Sequence, residues 1–156
     1  METLKEKILQ YETETAPNAA AVQAQQPEEI LDERVLGALR AADARKAVNP
    51  LVLDLRELTE FTDAFLIMSG TNVRQVQAIA DGISEDLKLI DARPSRVEGY
   101  NTAEWILLDY GDFVIHIFDE KPRQFYDLER LWRDARPVSL PAEFQNSQSS
   151  ANANES

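Results

Sequence analysis

Three residues of this chain have the right types for nucleophilic chemistry: Ser69, Asp109 and His116. A hydroxyl, an imidazole to take its proton and a carboxylate to orient the imidazole would make an acyl-transfer triad. No G-x-S-x-G elbow surrounds Ser69, so the strained strand-to-helix turn that presents such a nucleophile is not signalled. His116 is the only histidine, which excludes every site built on a histidine pair. In the run FVIHIF it alternates with Val114 and Phe118 on one strand face, and a hydrogen-bonded structural or interface histidine is the favoured reading.

A second candidate is the turn Ser69-Gly70-Thr71-Asn72, between an apolar run and a helix start. Free backbone N–H groups there could hold a phosphate. It lacks the Lys of a P-loop and the further glycines of a dinucleotide fingerprint. The carboxylates Asp54, Asp63, Glu98, Asp109 and Asp112 would need to project in pairs into one cleft to act as metal ligands or as acid and base. Asp109 and Asp112 flank a turn, where acids serve as turn formers, and no D-x-D pair stands on a strand. Trp105, Leu107 and Asp109 share one face of their segment, Ile106 and Leu108 the other. A Trp on a half-solvated face anchors protein interfaces; a Trp under a helix is core. Periodicity leaves both open.

The composition narrows the field. The 156 residues include 28 acids, 16 bases and no cysteine, for a net charge of −12. Disulfide scaffolds, thiolate metal sites and cysteine nucleophiles are excluded. The acidity argues against binding nucleic-acid backbones directly, DNA included, and suits a basic protein partner. No apolar run resembles a signal peptide or approaches the ~20 residues that span a bilayer, so a soluble cytoplasmic protein is expected, without contact to a membrane.

These residues need elements to position them. Leu31, Val35, Leu39 and Ala42 predict an amphipathic helix over residues 28–47. Pro50 opens the apolar run LVLDL at 51–55, and AFLIMS at 64–69 reads as a second buried strand. Val73, Val76, Ala80, Ile83 and Leu87 space a second helix, with Asn72 as its N-cap and Gln75 in the reciprocal capping position. Arg93–Glu98 reads as a short strand closed by Gly99. Trp105–Tyr110 and Phe113–Phe118 predict a hairpin about Gly111-Asp112. Phe125, Leu128 and Trp132 space a last helix, terminated by Pro137. The sum is an α/β domain over residues 28–140, a mixed sheet of about five strands with helices packed on it. Residues 1–27 and 141–156 are polar and poor in large apolar side chains, so flexible termini are expected. Residues 1–29 carry two lysines against six acids. Leu4, Ile8 and Tyr11 could mark one helical face at the very start, with a frayed helix expected there.

The stretch from about 28 to 138 resembles the ribosomal silencing factor family, also called Iojap. The resemblance is carried by LDLRELTEFTDAFLIMSGTNVRQVQAIAD at 53–81, EG at 98–99, WILLDYGDFVIHIF at 105–118 and RQFYDLERLW at 123–132, in order across the whole domain. It implies a nucleotidyltransferase-like fold without that activity, a non-enzyme needing no cofactor and no metal. It implies binding to a large-subunit ribosomal protein, L-fourteen, which blocks joining of the ribosomal subunits and represses translation when nutrients run out. Matched to the family's motif, the partner-binding residues are Glu98, Trp105, Leu107, Asp109 and Tyr110. Asp112, His116, Arg123 and Tyr126 match further positions. A homodimer is also implied. Ala64 stands where the family often has an aromatic residue, and the N-terminal extension is longer than a minimal member needs. The competing expectation is a nucleotidyltransferase-like enzyme working from the Ser69-Gly70 turn.

Overall fold

A computed structural model describes residues 3–11 and 30–144. The element order is α1 (Leu4–Leu9), α2 (Glu33–Ala44), β1 (Val48–Asp54), β2 (Ala64–Gly70), α3 (Val73–Lys88), β3 (Arg96–Glu98), β4 (Trp105–Asp109), β5 (Phe113–Asp119), α4 (Glu120–Tyr126), α5 (Leu128–Leu131) and β6 (Arg136–Pro137). The strands form one mixed sheet in the order β3-β4-β5-β2-β1-β6. β2 and β5 are parallel, and the other neighbours are antiparallel. The expected α/β class holds, with six strands among the described residues in place of about five.

The pleat divides the apolar residues into two clusters. Val52, Leu66, Met68, Ile106, Leu108, Ile115 and Ile117 face one way, under Val35 and Leu39 of α2 and Val76, Ile79 and Ile83 of α3. Leu53, Phe65, Ile67, Trp105, Leu107, Val114 and Phe118 face the other, with Leu128, Trp132 and the α1 residues Leu4 and Ile8. Every position of β2 is buried, as expected of a central strand covered on both sides.

Local chemistry sets the ends of the elements. The Asp32 carboxylate accepts from the N–H groups of Arg34 and Val35, so α2 starts at Glu33, inside the expected 28–47. The Asn72 side chain accepts from Gln75 N at 2.9 Å, the expected cap. The reciprocal arm differs: Gln75 Oε1 accepts from Thr71 N and Oγ1, while its Nε2 donates to the carbonyls of Arg45 and Lys46. One side chain thus closes the β2–α3 turn and ties it to the end of α2.

The structure corrects the sequence reading in several places. β1 begins at Val48, not Pro50, and its register with β2 shifts between Val48 and Leu51; a proline without an N–H is tolerated at such a bulge. The last helix is two short ones, because Asp127 adopts a left-handed conformation (φ 48°, ψ 56°). Phe125, expected in its core stripe, is 81% exposed. Arg136–Pro137 does not merely follow a helix but pairs with Leu53 and Asp54 as β6; an edge strand needs no N–H from Pro137. The expected flexible ends contain packed pieces: Leu4 and Ile8 of α1 are buried, and so is Phe144. The remaining parts of those ends, residues 1–2, 12–27 and 145–156, lie outside the described residues.

Asn72→Ala removes the cap of α3 and should cost about 1 kcal/mol. Urea unfolding followed by circular dichroism measures it; an unchanged midpoint would show that Gln75 alone holds the turn.

Candidate docking face on the sheet

β3, β4 and β5 place the candidate residues by register. Glu98 stands opposite Leu107, and Leu107 opposite His116. Trp105 stands opposite Phe118, and Asp109 opposite Arg96 and Val114. Directly paired residues share a face, so Glu98, Trp105, Leu107, Asp109 and His116 all belong to the face opposite α2 and α3. Tyr110 does not join them. It lies in the cluster beneath those two helices, its ring stacked on Phe113 at 5.0 Å. Strand alternation separates it from Asp109.

The polar centre of this face is buried. Trp105 Nε1 donates to His116 Nδ1 at 3.1 Å. Acceptance at Nδ1 requires a neutral imidazole with its proton on Nε2, and that nitrogen has no hydrogen-bond partner among the described residues. The Phe65 ring lies edge-on to the imidazole at 4.6 Å. Burial, and secondarily the positive charge of Lys5, lower the His116 pKa to about 3. His116 is thus the packed acceptor that orients the indole, in line with the structural reading. The drawn triad is not assembled: Ser69 Oγ accepts from Arg123 Nη1 at 2.9 Å, and the Asp109 carboxylate accepts from Gly111 N at 2.8 Å.

Periodicity left Trp105 either on a half-solvated face or in the core, and the structure puts it in the core: Trp105 and Leu107 are 3% and 0% exposed. Their cover includes α1. Both oxygens of Glu98 accept from α1 backbone N–H groups, Leu4 N at 3.1 Å and Lys5 N at 3.4 Å. The Lys5 ammonium donates to the Trp105 carbonyl at 2.6 Å and lies 4.7 Å from the centre of the Trp105 ring. Burial pushes its pKa down, against the Glu98 and Glu104 carboxylates. At the other end of α1, Trp132 Nε1 donates to the Ile8 carbonyl at 3.2 Å, and Tyr11 stacks on Trp132 at 3.8 Å. Gly99, at φ +77°, is where the backbone passes tightest: a Cβ there would meet the Trp105 carbonyl and the Lys5 ammonium. The i, i+4, i+7 spacing of Leu4, Ile8 and Tyr11 signalled this helix in the sequence. Its docking site was not signalled, because Glu98 and Trp105 lie about a hundred positions away.

Of the further motif residues, only Tyr126 and His116 lie on this face. Tyr126 packs on Trp105 at 4.7 Å. Asp112, in the β4–β5 turn, pairs with Arg34 of α2 at 2.8 Å. Arg123 bridges Ser69 and Glu129, across a cleft of about 570 Å³ lined by Val48, Asn49, Glu120 and Asp127 as well. This cleft is what the Ser69-Gly70 turn opens onto. Three carboxylates around one guanidinium make it a poor place for a triphosphate, and Thr71 N, one of the turn's anion-binding groups, is taken by Gln75.

The chain is similar to several known proteins. Residues 27–156 match the family described as "Ribosomal silencing factor during starvation". The chain is 39% identical over 103 residues to a ribosomal silencing factor of Halalkalibacterium halodurans, covering 66% of this chain and 88% of that protein. A more distant relative from mouse, named for mitochondrial assembly of the ribosomal large subunit, is 29% identical over 103 residues, covering 64% of this chain and 44% of its own. A solved structure from Bacillus halodurans superposes with a TM-score of 0.62 at 35% identity, covering 72% of this chain and 99% of that one. α1 precedes the family match.

Two outcomes follow from the geometry. The His116 pKa is about 3 when folded against 6.5 when exposed, so the unfolded chain takes up the proton first as pH falls. The stability involved is fully present above pH 6.5 and is lost as pH drops toward 3; at pH 5.5 the loss is about 1 kcal/mol. Urea unfolding at pH 7.5 and 5.5 reads it directly, since there is no second histidine, and His116→Asn should flatten the difference. Calorimetric titration with a nucleoside triphosphate and magnesium should be flat; a saturable heat abolished by Arg123→Glu would reinstate the enzyme reading.

Proposed function

The chain belongs to the ribosomal silencing factor family, and from that premise we propose that it is a translation repressor without catalytic activity. It binds the large ribosomal subunit through ribosomal protein L-fourteen and, by occupying that surface, prevents the small subunit from joining when nutrients are short. The observation carrying this reading is the gathering of Glu98, Trp105, Leu107 and Asp109 on one sheet face by β3, β4 and β5. Trp105 and Leu107 supply the apolar anchor, Glu98 and Asp109 the charges that meet Lys or Arg of a basic ribosomal protein. Tyr110 supports the hairpin from the other face. Steric exclusion needs only one protein–protein contact of ordinary size, and the acidity of the chain speeds and orients its approach to a basic partner. Such a protein works in the compartment of the ribosomes, the cytoplasm. A homodimer fits the open edge at β3, where Val97 and Tyr100 are exposed.

The full chain should co-sediment with isolated large subunits and slow their joining to small subunits; unchanged joining at saturating protein defeats the proposal. Trp105→Ala should weaken binding by about tenfold or more, since loss of an anchor costs ~2 kcal/mol. Asp109→Lys tests the charge without touching the buried indole and should also weaken binding. Wild-type affinity in both, with circular dichroism unchanged, would move the interface elsewhere.

A further inference from the structure

The proposed docking face has an occupant already. Lys5 and Lys7 are the only cations among residues 1–29, and both lie over aromatic rings of this face: Lys5 4.7 Å from Trp105, Lys7 4.9 Å from Phe61. Between them Leu4 and Ile8 enter the apolar cluster that holds Trp105 and Leu107. Glu98, nominated to receive a cation of the partner, receives the first two backbone N–H groups of α1. α1 therefore offers this face the chemistry that a basic ribosomal protein would offer it: an ammonium on the indole, donors on the carboxylate, and apolar side chains at helical spacing.

α1 is also built to leave. Its six residues are too few for a helix that is stable alone, so its structure depends on the contacts it makes. The family match starts at residue 27, so α1 is an addition to the domain the family shares. Residues 12–29 lie between it and the domain, and 18 residues of chain reach at most about 60 Å. Undocking α1 need not pull on α2.

The geometry points to α1 as a competitor in cis: it occupies the partner-binding face in the free protein and must be displaced before the ribosomal protein can dock. This rests on the docking role proposed for Trp105, Leu107 and Glu98. The sheet face is then open only in the fraction of molecules whose α1 is undocked, and the apparent affinity is reduced by that fraction. Anything that holds or frees the N-terminal helix would set the strength of silencing without altering the face itself.

The test uses the full chain in three forms: wild type, Lys5→Glu and Ile8→Asp. Lys5→Glu sets a carboxylate against Glu98 and removes the cation from Trp105. Ile8→Asp removes the apolar anchor of α1. Binding to isolated large ribosomal subunits is measured for each, with circular dichroism to confirm the fold. Both variants should bind more tightly, by about tenfold if α1 is docked nine-tenths of the time. A synthetic peptide of residues 1–11 added in excess should return the variants toward wild-type affinity. Hydrogen exchange supplies a readout on the unaltered protein: the Leu4 and Lys5 amides should lose protection when wild type is saturated with large subunits. Equal or weaker binding by folded variants, or amides still protected in the complex, overturns the competitor role and leaves the docking face standing. If none of the three forms binds large subunits, the docking face itself fails, and the competitor with it.

Discussion

β2 is apolar from Ala64 to Met68 and buried at every position, and that sets the problem the rest of the chain solves. A strand that is buried on both faces needs cover on both, and the chain covers the two sides differently. One side receives α2 and α3, two regular helices with continuous apolar stripes. The other receives short pieces from distant parts of the chain: α1 from the start, α4 and α5 with Trp132 from near the end. The first side is assembled from long local elements, the second from long-range contacts. Short elements with few neighbours of their own are those most readily opened locally, so any exchange of partners belongs on the second side.

Polar groups on that side are few, and the strand register sets their central contact. Trp105 places its indole N–H against His116 because β4 and β5 set Leu107 opposite His116 and Trp105 opposite Phe118. A cationic His116 would have to lose the Trp105 hydrogen bond and carry its charge among Phe65, Phe118 and the indole. Burial therefore keeps it neutral, and its role is to hold an anchor residue in place. At the other end of the sheet, Asp54 and Arg56 form a nearly buried pair at 2.8 Å. Burial alone would raise the Asp54 pKa, yet the hydrogen bonds and charge of Arg56 outweigh it and hold the carboxyl below its usual value. That pair closes β1 where β6 joins it.

Much of this was legible in the sequence. The 3–4 spacing of α3, its Asn72 cap and the hairpin about Gly111-Asp112 depend on neighbours within a few residues, and local chemistry decides them. The break at Asp127 was not legible, because Phe125, Leu128 and Trp132 keep a helical spacing across it and only one dihedral pair departs. Nor was β6, since two residues have no periodicity to read. Tyr110 is a different case. Alternation alone sets it opposite Asp109; adjacency within a shared motif grouped it with the docking residues, and the pleat separates them.

The amino-acid order by itself determined the family, the α/β class, and which strand residues share a face, because periodicity and motif spacing are local properties that survive without coordinates. Whether the Trp105 face is open or covered was decided by tertiary structure alone. Its cover includes a six-residue helix about a hundred positions upstream, and no local pattern encodes a contact at that separation: the helix stripe of Leu4 and Ile8 calls for an apolar surface, but only the folded sheet says which one is within reach and shaped to receive it.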